Sequence, residues 1–472
     1  MSEILRRGAE LELDIEKLAF GGSAVARVDG FVVFVDGAIP GQRVLARIQR
    51  KKRQYAEART VAVLERGPHY VEPFCEHFGV CGGCRWQQLR YSEQLEWKRR
   101  QVMECLQGVP GLDTDAVAAT VPSPREIEYR NKMEYTFSSR RWLSTAEIAA
   151  AEVAYERDFA LGLHVRGFFD KLFDVRCCAL ESLASMAIVR EVRDWCRQSG
   201  LPAYSVKTHQ GCWRFLVIRE GKRSGQTLVH LITADHPGHE AAVAKLAEHL
   251  LQTYPTLTTL IHSTNTGRAQ VAVGERSRTL WGPGFIEERL GDLTFRISAQ
   301  SFFQTNPYGA ELLYACVDRF ADLTGAETVW DLYCGTGSIA LTLARKAARV
   351  LGFEVVEQAV ADAYRNAELN GIDNCRFRTG DLKDVIRDAA PAGSAAPEVV
   401  ITDPPRSGMH PKVVQSLLEL APQRIVTVSC NPSTLARDLE LLEPRYAVTA
   451  VQPFDMFPHT PHIECVVKLE RK

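Results

Sequence analysis

One eight-residue stretch restricts the fold of this chain more than any other: Asp331-Leu332-Tyr333-Cys334-Gly335-Thr336-Gly337-Ser338. It closes an apolar run, Thr328 to Leu332, and leads straight into a helix-patterned segment, Ser338 to Lys346, so a strand must stop, turn tightly and enter a helix. Glycine permits such a turn and a close backbone approach to a ligand at the helix N-terminus. The same grammar then repeats. Val350 to Phe353 reads as strand, Val356 to Leu369 as helix, Glu398 to Thr402 as strand and Pro411 to Leu420 as helix. Arg424 to Val428 follows as strand and Ser433 to Leu442 as helix, before two closing strands. Such alternation predicts an α/β, doubly wound, mostly parallel sheet with its ligand at the carboxyl ends of the strands.

The N-terminal part follows a different rule. Leu11, Leu13 and Ile15 alternate, as do Ala24, Ala26 and Val28; Asp29-Gly30 then signals a hairpin before Phe31 to Val35. Runs at Val44 to Ile48 and Ala58 to Leu64 complete about five short strands, the pattern of a small OB-like β-barrel. This segment resembles a TRAM domain, a small RNA-binding barrel. Between the barrel and the α/β part, a helix is expected from Ser92 to Leu106. Strands follow at Glu134 to Ser138, Leu161 to Phe169, Phe215 to Glu220 and Leu228 to Thr233, with helices at Ser182 to Gln198 and Glu240 to Gln252. The expected organisation is therefore residues 1–64 as barrel, 65–290 as an α+β middle domain and 291–472 as the α/β domain.

A lone GxG is shared with dinucleotide-binding folds. Three features point to S-adenosylmethionine instead: the D-x-x-C-G-x-G form lacks the third dinucleotide glycine, Glu354 ends the second strand, and Asp381 follows the next. A carboxylate at the second strand end can hold ribose hydroxyls, and Asp381 can receive an adenine amino group. Two further strand ends open on the same side: Asp403-Pro404-Pro405-Arg406-Ser407-Gly408 and Ser429-Cys430-Asn431-Pro432. A thiol beside a methyl donor suggests attack on C6 of a pyrimidine, which turns C5 into a carbon nucleophile. A base must then remove the C5 proton, and Glu464 is the candidate. A buried strand-end cysteine is often inert, as Cys334, Cys375 and Cys465 are read to be. Asp-Pro-Pro-Arg alone also suits amino-group methylation, but that chemistry needs no thiol.

Taken with Gln300-Ser301-Phe302-Phe303-Gln304-Thr305-Asn306 and Met456-Phe457-Pro458-His459-Thr460 through Glu464, these motifs give the whole chain a resemblance to RNA uracil-C5 methyltransferases of the TrmA/RlmD class. The resemblance implies Cys430 as nucleophile, Glu464 as proton acceptor, and Gln304, Tyr333, Ser338, Glu354, Asp381 and Asp403 around the methyl donor. Tyr333 and Ser338 stand where relatives often carry other side chains. The class implies RNA as partner: 23S rRNA is expected, because the barrel and a cysteine cluster accompany the RlmD type, with tRNA the alternative. A non-catalytic RNA-binding assembly factor is the reading from another class, opposed by the intact Cys430 and Glu464.

Cysteine spacing adds a metal site. Cys75, Cys81 and Cys84 place three thiols in ten residues, and Cys177 or Cys178 can supply a fourth. Four thiolates suit tetrahedral zinc as well as iron–sulfur. The resemblance implies a [4Fe-4S] cluster on Cys75, Cys81, Cys84 and Cys178. Its role is expected to be structural or RNA-positioning, since uracil methylation is redox-neutral.

Charge and hydropathy narrow the setting. The net charge of -1 conceals a local excess: residues 41 to 100 hold 13 Lys or Arg against 6 Glu, or +7, a candidate phosphate-facing surface. No apolar run approaches the ~18 residues of a membrane span, and the start, Met1 to Arg7, lacks a signal-peptide apolar region, so a cytoplasmic setting is expected. No protein partner is evident in the sequence.

Overall fold

The computed structural model describes residues 4–143, 147–148, 157–386 and 396–472. Among them, the N-terminal sheet has the strand order Glu10–Asp14, Arg43–Lys51, Tyr55–Glu65, Phe31–Asp36, Ala24–Val28, Lys17–Leu18. Asp29 and Gly30 make the expected hairpin at φ 50° and 82°, setting Val28 opposite Phe31. These strands do not complete their own core. Trp86, Leu89 and Trp97, which follow the barrel in sequence, are buried in the same cluster as Leu13, Val33, Val44 and Ile48.

The Tyr91–Leu106 helix therefore has two loyalties. Trp97 faces the barrel, whereas Val102 and Leu106 join a cluster with Val413, Leu435 and Leu439 of the C-terminal domain. Between them Lys98, wholly buried, places Nζ 2.5 Å from Asp455 Oδ1.

The middle region is a seven-stranded mixed sheet against which the Leu183–Gln198 and His239–Thr253 helices pack. Ser182 caps the first helix, its hydroxyl accepting from the Ser185 N–H at 3.0 Å. The strand expected from Leu161 to Phe169 spans Ala160–His164: Val165 leaves the sheet to bridge Cys81, and Gly167 turns at φ 79°. Thr259–Thr264 and Arg276–Trp281 extend this sheet, and the Phe285–Leu290/Leu293–Ser298 hairpin leads onward.

The C-terminal sheet orders its strands Cys375–Thr379, Arg349–Glu354, Thr328–Leu332, Val399–Thr402, Arg424–Ser429, Glu464–Arg471, Tyr446–Phe454. The first five are parallel; Glu464–Arg471 runs antiparallel to Arg424–Ser429. The expected Rossmann-like α/β fold is present, with its switch point between Thr328–Leu332 and Val399–Thr402. No helix of the described residues is long and apolar enough to cross a membrane.

Candidate active site

The sheet register assembles the site. Because Glu464–Arg471 runs antiparallel, it begins at the edge where its neighbours end, and Ser429 pairs with Cys465. Cys430 and Glu464 are thereby brought side by side, one strand from Asp403. Asn431 fixes this corner: its Oδ1 accepts from Ser433 N–H at 3.1 Å, capping the Pro432–Leu442 helix. Its Nδ2 donates to the Arg406 carbonyl at 2.9 Å, joining the two strand-end loops.

Burial governs the chemistry of these groups. It pushes the Cys430 thiol up to about 11, reinforced by Glu464 and opposed by the Arg406 guanidinium, which also hydrogen-bonds the sulfur. Glu464, fully enclosed, is raised well above the usual carboxyl range, by burial first and Asp403 second. Arg406 Nη2 donates to His462 Nδ1 at 2.9 Å. Burial and then Arg406 hold that imidazole down to about 4, so it stays neutral, with the remaining proton on Nε2. Cys430, Arg406 and His462 line a cleft of about 360 Å³ whose opposite walls are Phe20 and Gly21 of the barrel and Gly82 and Gly83 of the cysteine loop.

Asp403, whose carboxyl acts on both Cys430 and Glu464, lines a second, narrower pocket together with Gln304, Tyr333, Ser338 and Asp331. The turn that shapes it takes left-handed backbone at the expected glycines and also at Tyr333. Tyr333 is a non-glycine residue at φ 67°, and Gly337, at φ 82°, leaves room for Phe377 and Ala363, which a Cβ would meet at 3.1 and 3.2 Å. Asp331 accepts from Ala340 N–H at 2.9 Å through Oδ2, while its buried Oδ1 lacks a hydrogen-bond partner. Burial raises Asp331 to about 8, with Asp403 the next cause, and raises Asp403 to about 7. Ser338 Oγ lies 2.8 Å from the Tyr314 hydroxyl.

Glu354 and Asp381 stand outside that wall. Glu354 accepts from Gly335 N–H at 3.1 Å and from Val355 and Val356 N–H at 2.8 and 2.9 Å. Asp381 is exposed, caps the Leu382–Val385 helix and pairs with Lys383 Nζ at 2.6 Å. Arg406, His462 and Asp331 join the site without having been assigned a role from the sequence, although Asp331 opens the glycine motif. An arginine following Asp-Pro-Pro at a strand end was the available signal.

The thiols of Cys75, Cys81, Cys84 and Cys178 line one cavity, walled also by Phe173 and Leu180. Each of Cys81, Cys84 and Cys178 is raised chiefly by burial, and neighbouring thiols of the set add to it. Gly83 N–H donates to Cys81 Sγ at 3.3 Å. Cys177 also lines the cavity, but its sulfur groups with the donor atoms of Glu76 and His77, all within 4.8 Å of one another. Four soft donors around one enclosed space fit a metal cluster, and the mixed Glu76–His77–Cys177 trio is a harder set beside it.

Comparison with known proteins accords with this geometry. Residues 284–472 match the family described as tRNA (Uracil-5-)-methyltransferase, and residues 5–61 match the TRAM domain. An uncharacterized RNA methyltransferase of Nitratidesulfovibrio vulgaris is 42% identical over 100% of this chain and 98% of its own length. Another, from Chlorobaculum tepidum, is 42% identical over 99% and 97%. Among solved structures, the Pyrococcus abyssi tRNA (uracil-54, C5)-methyltransferase in complex with S-adenosyl-L-homocysteine superposes with a TM-score of 0.74 at 28% identity, covering 97% of this chain and 100% of that one.

Proposed function

The chain belongs to the TrmA/RlmD superfamily of RNA C5-methyltransferases with a TRAM domain and carries out S-adenosylmethionine-dependent methylation of uridine C5, and on that premise we propose that its substrate is a tRNA uridine, with Cys430 as nucleophile and Glu464 as base. The observation that carries the residue assignment is the strand register that sets Cys430 beside Glu464, one strand from Asp403 of the methyl-donor pocket.

Arg406 favours the Cys430 thiolate, which adds to C6 of the uracil and leaves C5 nucleophilic. C5 takes the methyl group from the sulfonium, forming the C–C bond as the S–CH₃ bond breaks. Glu464 accepts the C5 proton, the C5=C6 bond re-forms, and the C6–S bond breaks to return the thiolate. Asp331 and Asp403, both desolvated, favour a cationic donor in their pocket, while Gln304, Tyr333 and Ser338 shape it. Glu354, beside the Gly335 turn, would meet the ribose and Asp381, at the rim, the adenine.

The tRNA assignment rests on the Pyrococcus abyssi tRNA enzyme, whose match extends over 97% of this chain. The expectation of 23S rRNA rested on the barrel and the cysteine cluster together accompanying the RlmD type, and a tRNA enzyme that matches this chain from end to end weighs against it. Cys75, Cys81, Cys84 and Cys178 would hold a [4Fe-4S] cluster, which would supply a rigid covalent anchor for the loop rather than electrons.

Labelled methyl transfer to tRNA transcripts and to unmodified 23S rRNA fragments tests the substrate. Efficient labelling of tRNA alone is expected; labelling of rRNA alone would return the assignment to 23S. Cys430→Ala should lose both turnover and the covalent RNA adduct. Glu464→Gln should methylate once and remain attached to its product.

A further inference from the structure

The segment that delivers Glu464 is seated on the cysteine loop. His459 lies five residues before the base and is buried, in a left-handed conformation at φ 66°. A non-glycine residue keeps that conformation only where its surroundings over-determine it. Here they do. The His459 carbonyl accepts from both Arg85 N–H at 2.8 Å and Trp86 N–H at 3.0 Å, the two residues that follow Cys84. Its own N–H donates to Gln94 Oε1 at 2.9 Å, and Gln94, buried, returns its amide to the Trp86 and Leu89 carbonyls at 3.1 and 2.8 Å. The imidazole meets Phe74, the residue before Cys75, edge-on at 5.0 Å. Next to it, the Pro458 carbonyl accepts from the Tyr129 hydroxyl at 3.1 Å, and Tyr129 packs with Cys84, Cys178 and Phe457.

The chain neighbours of two thiols thus hold one residue of the base-bearing segment. The tether onward is short and stiff: Thr460 Oγ1 donates to the Phe457 carbonyl at 2.8 Å and accepts from His462 N–H at 3.3 Å. We propose that His459 is a positioning residue through which the cysteine loop sets the place of Glu464 when the C5 proton leaves, so that the four-thiol site governs release of methylated RNA rather than its methylation. In that step the C5–H bond breaks, its proton passes to the Glu464 carboxylate, its electron pair forms C5=C6, and the C6–S pair returns to Cys430. Attack and methyl transfer use Cys430 and the donor pocket, which hang on other strand ends and meet this segment through the Arg406–His462 hydrogen bond. The proposal rests on the roles given above to Cys430 and Glu464.

Single-turnover reactions with methyl-labelled donor and a tRNA transcript separate the steps. In Gln94→Ala the labelled protein–RNA adduct should form within about threefold of the wild-type rate, while its release slows by about 10- to 100-fold, the scale of a misplacement near 1 Å. Phe74→Ala, at a half-exposed position that the fold tolerates, should shift release in the same direction by less. Amide exchange over residues 455–464 of the RNA-free protein should quicken in Gln94→Ala and in Cys84→Ser. Adduct formation and release slowing in parallel, or release unchanged in both Gln94→Ala and Phe74→Ala, would overturn the proposal. A wild-type protein that forms no adduct would refute the nucleophile assignment instead; unchanged exchange over 455–464 in Cys84→Ser would then still overturn the seating.

Discussion

A thiol held near 11 is an unusual choice for the proposed nucleophile, and Arg406 is what the site sets against the burial of Cys430. At neutral pH roughly one thiol in 10⁴ is ionised at that value. Alkylation of Cys430 by iodoacetamide, followed by peptide mass spectrometry, should therefore rise about tenfold per pH unit from about 7 to 9. Arg406→Ala should slow it at every pH in that range. The donor pocket carries the opposite signature in stability. Asp331 and Asp403 titrate at about 8 and about 7 when folded, against about 3.9 in an unfolded chain, so between those limits the folded state binds more protons. The ligand-free enzyme should lose melting temperature as pH rises from about 4 to about 8, and Asp403→Asn should flatten that slope between about 4 and about 7, where the carboxyl is protonated only in the folded state. Cys430, Glu464 and Asp403 were legible in sequence because each ends or begins an apolar run in a fixed motif. Arg406 and His462 acquire meaning only when their distance to each other is seen.

Elements were readable where their periodicity was undivided. Thr328–Leu332 and Pro411–Leu420 have the expected bounds because a buried parallel strand and an amphipathic helix each carry one pattern. The strand expected to reach Phe169 stops at His164, since the next residue pairs with Cys81, a long-range contact that no local pattern encodes. The Tyr91–Leu106 helix hides a second such contact. Lys98 and Asp455 are both inaccessible to solvent, and removing one partner of such a pair strands the other charge. Lys98→Met should cost about 3–5 kcal/mol by denaturant unfolding, and adding Asp455→Leu should recover part of it. At the cysteine loop, anaerobically purified protein should contain about four irons and four sulfides. Cys178→Ser should remove them and Cys177→Ser should not; one zinc in their place would assign the other metal.

Across the whole molecule, the cleft beside Cys430 is a junction. Phe20 of the barrel, Gly82 of the cysteine loop and Cys430 of the α/β domain share its walls, and Arg85 ties the first two, with Nη1 2.5 Å from the Gly21 carbonyl and Nη2 3.2 Å from Asp36. The basic excess read from sequence is partly spent on such ties, but Arg50, Lys51, Lys52 and Arg53 remain exposed at one hairpin. Replacing Lys51, Lys52 and Arg53 by alanine should weaken RNA binding and flatten log K against log salt by about 0.7 per charge that touches single-stranded phosphate, with donor affinity unchanged. Residues 1–62 are a poor unit to delete, because the barrel core is closed by Trp86, Leu89 and Trp97. That closure also imposes an order on synthesis. As the chain leaves the ribosome, all six barrel strands emerge before their lid, and at roughly 5–20 residues per second the stretch from Glu65 to Trp97 takes about 2 to 6 seconds. For that interval the nascent barrel presents an open apolar floor to chaperones, and the helix that finally covers it waits in turn for the last strands of the chain.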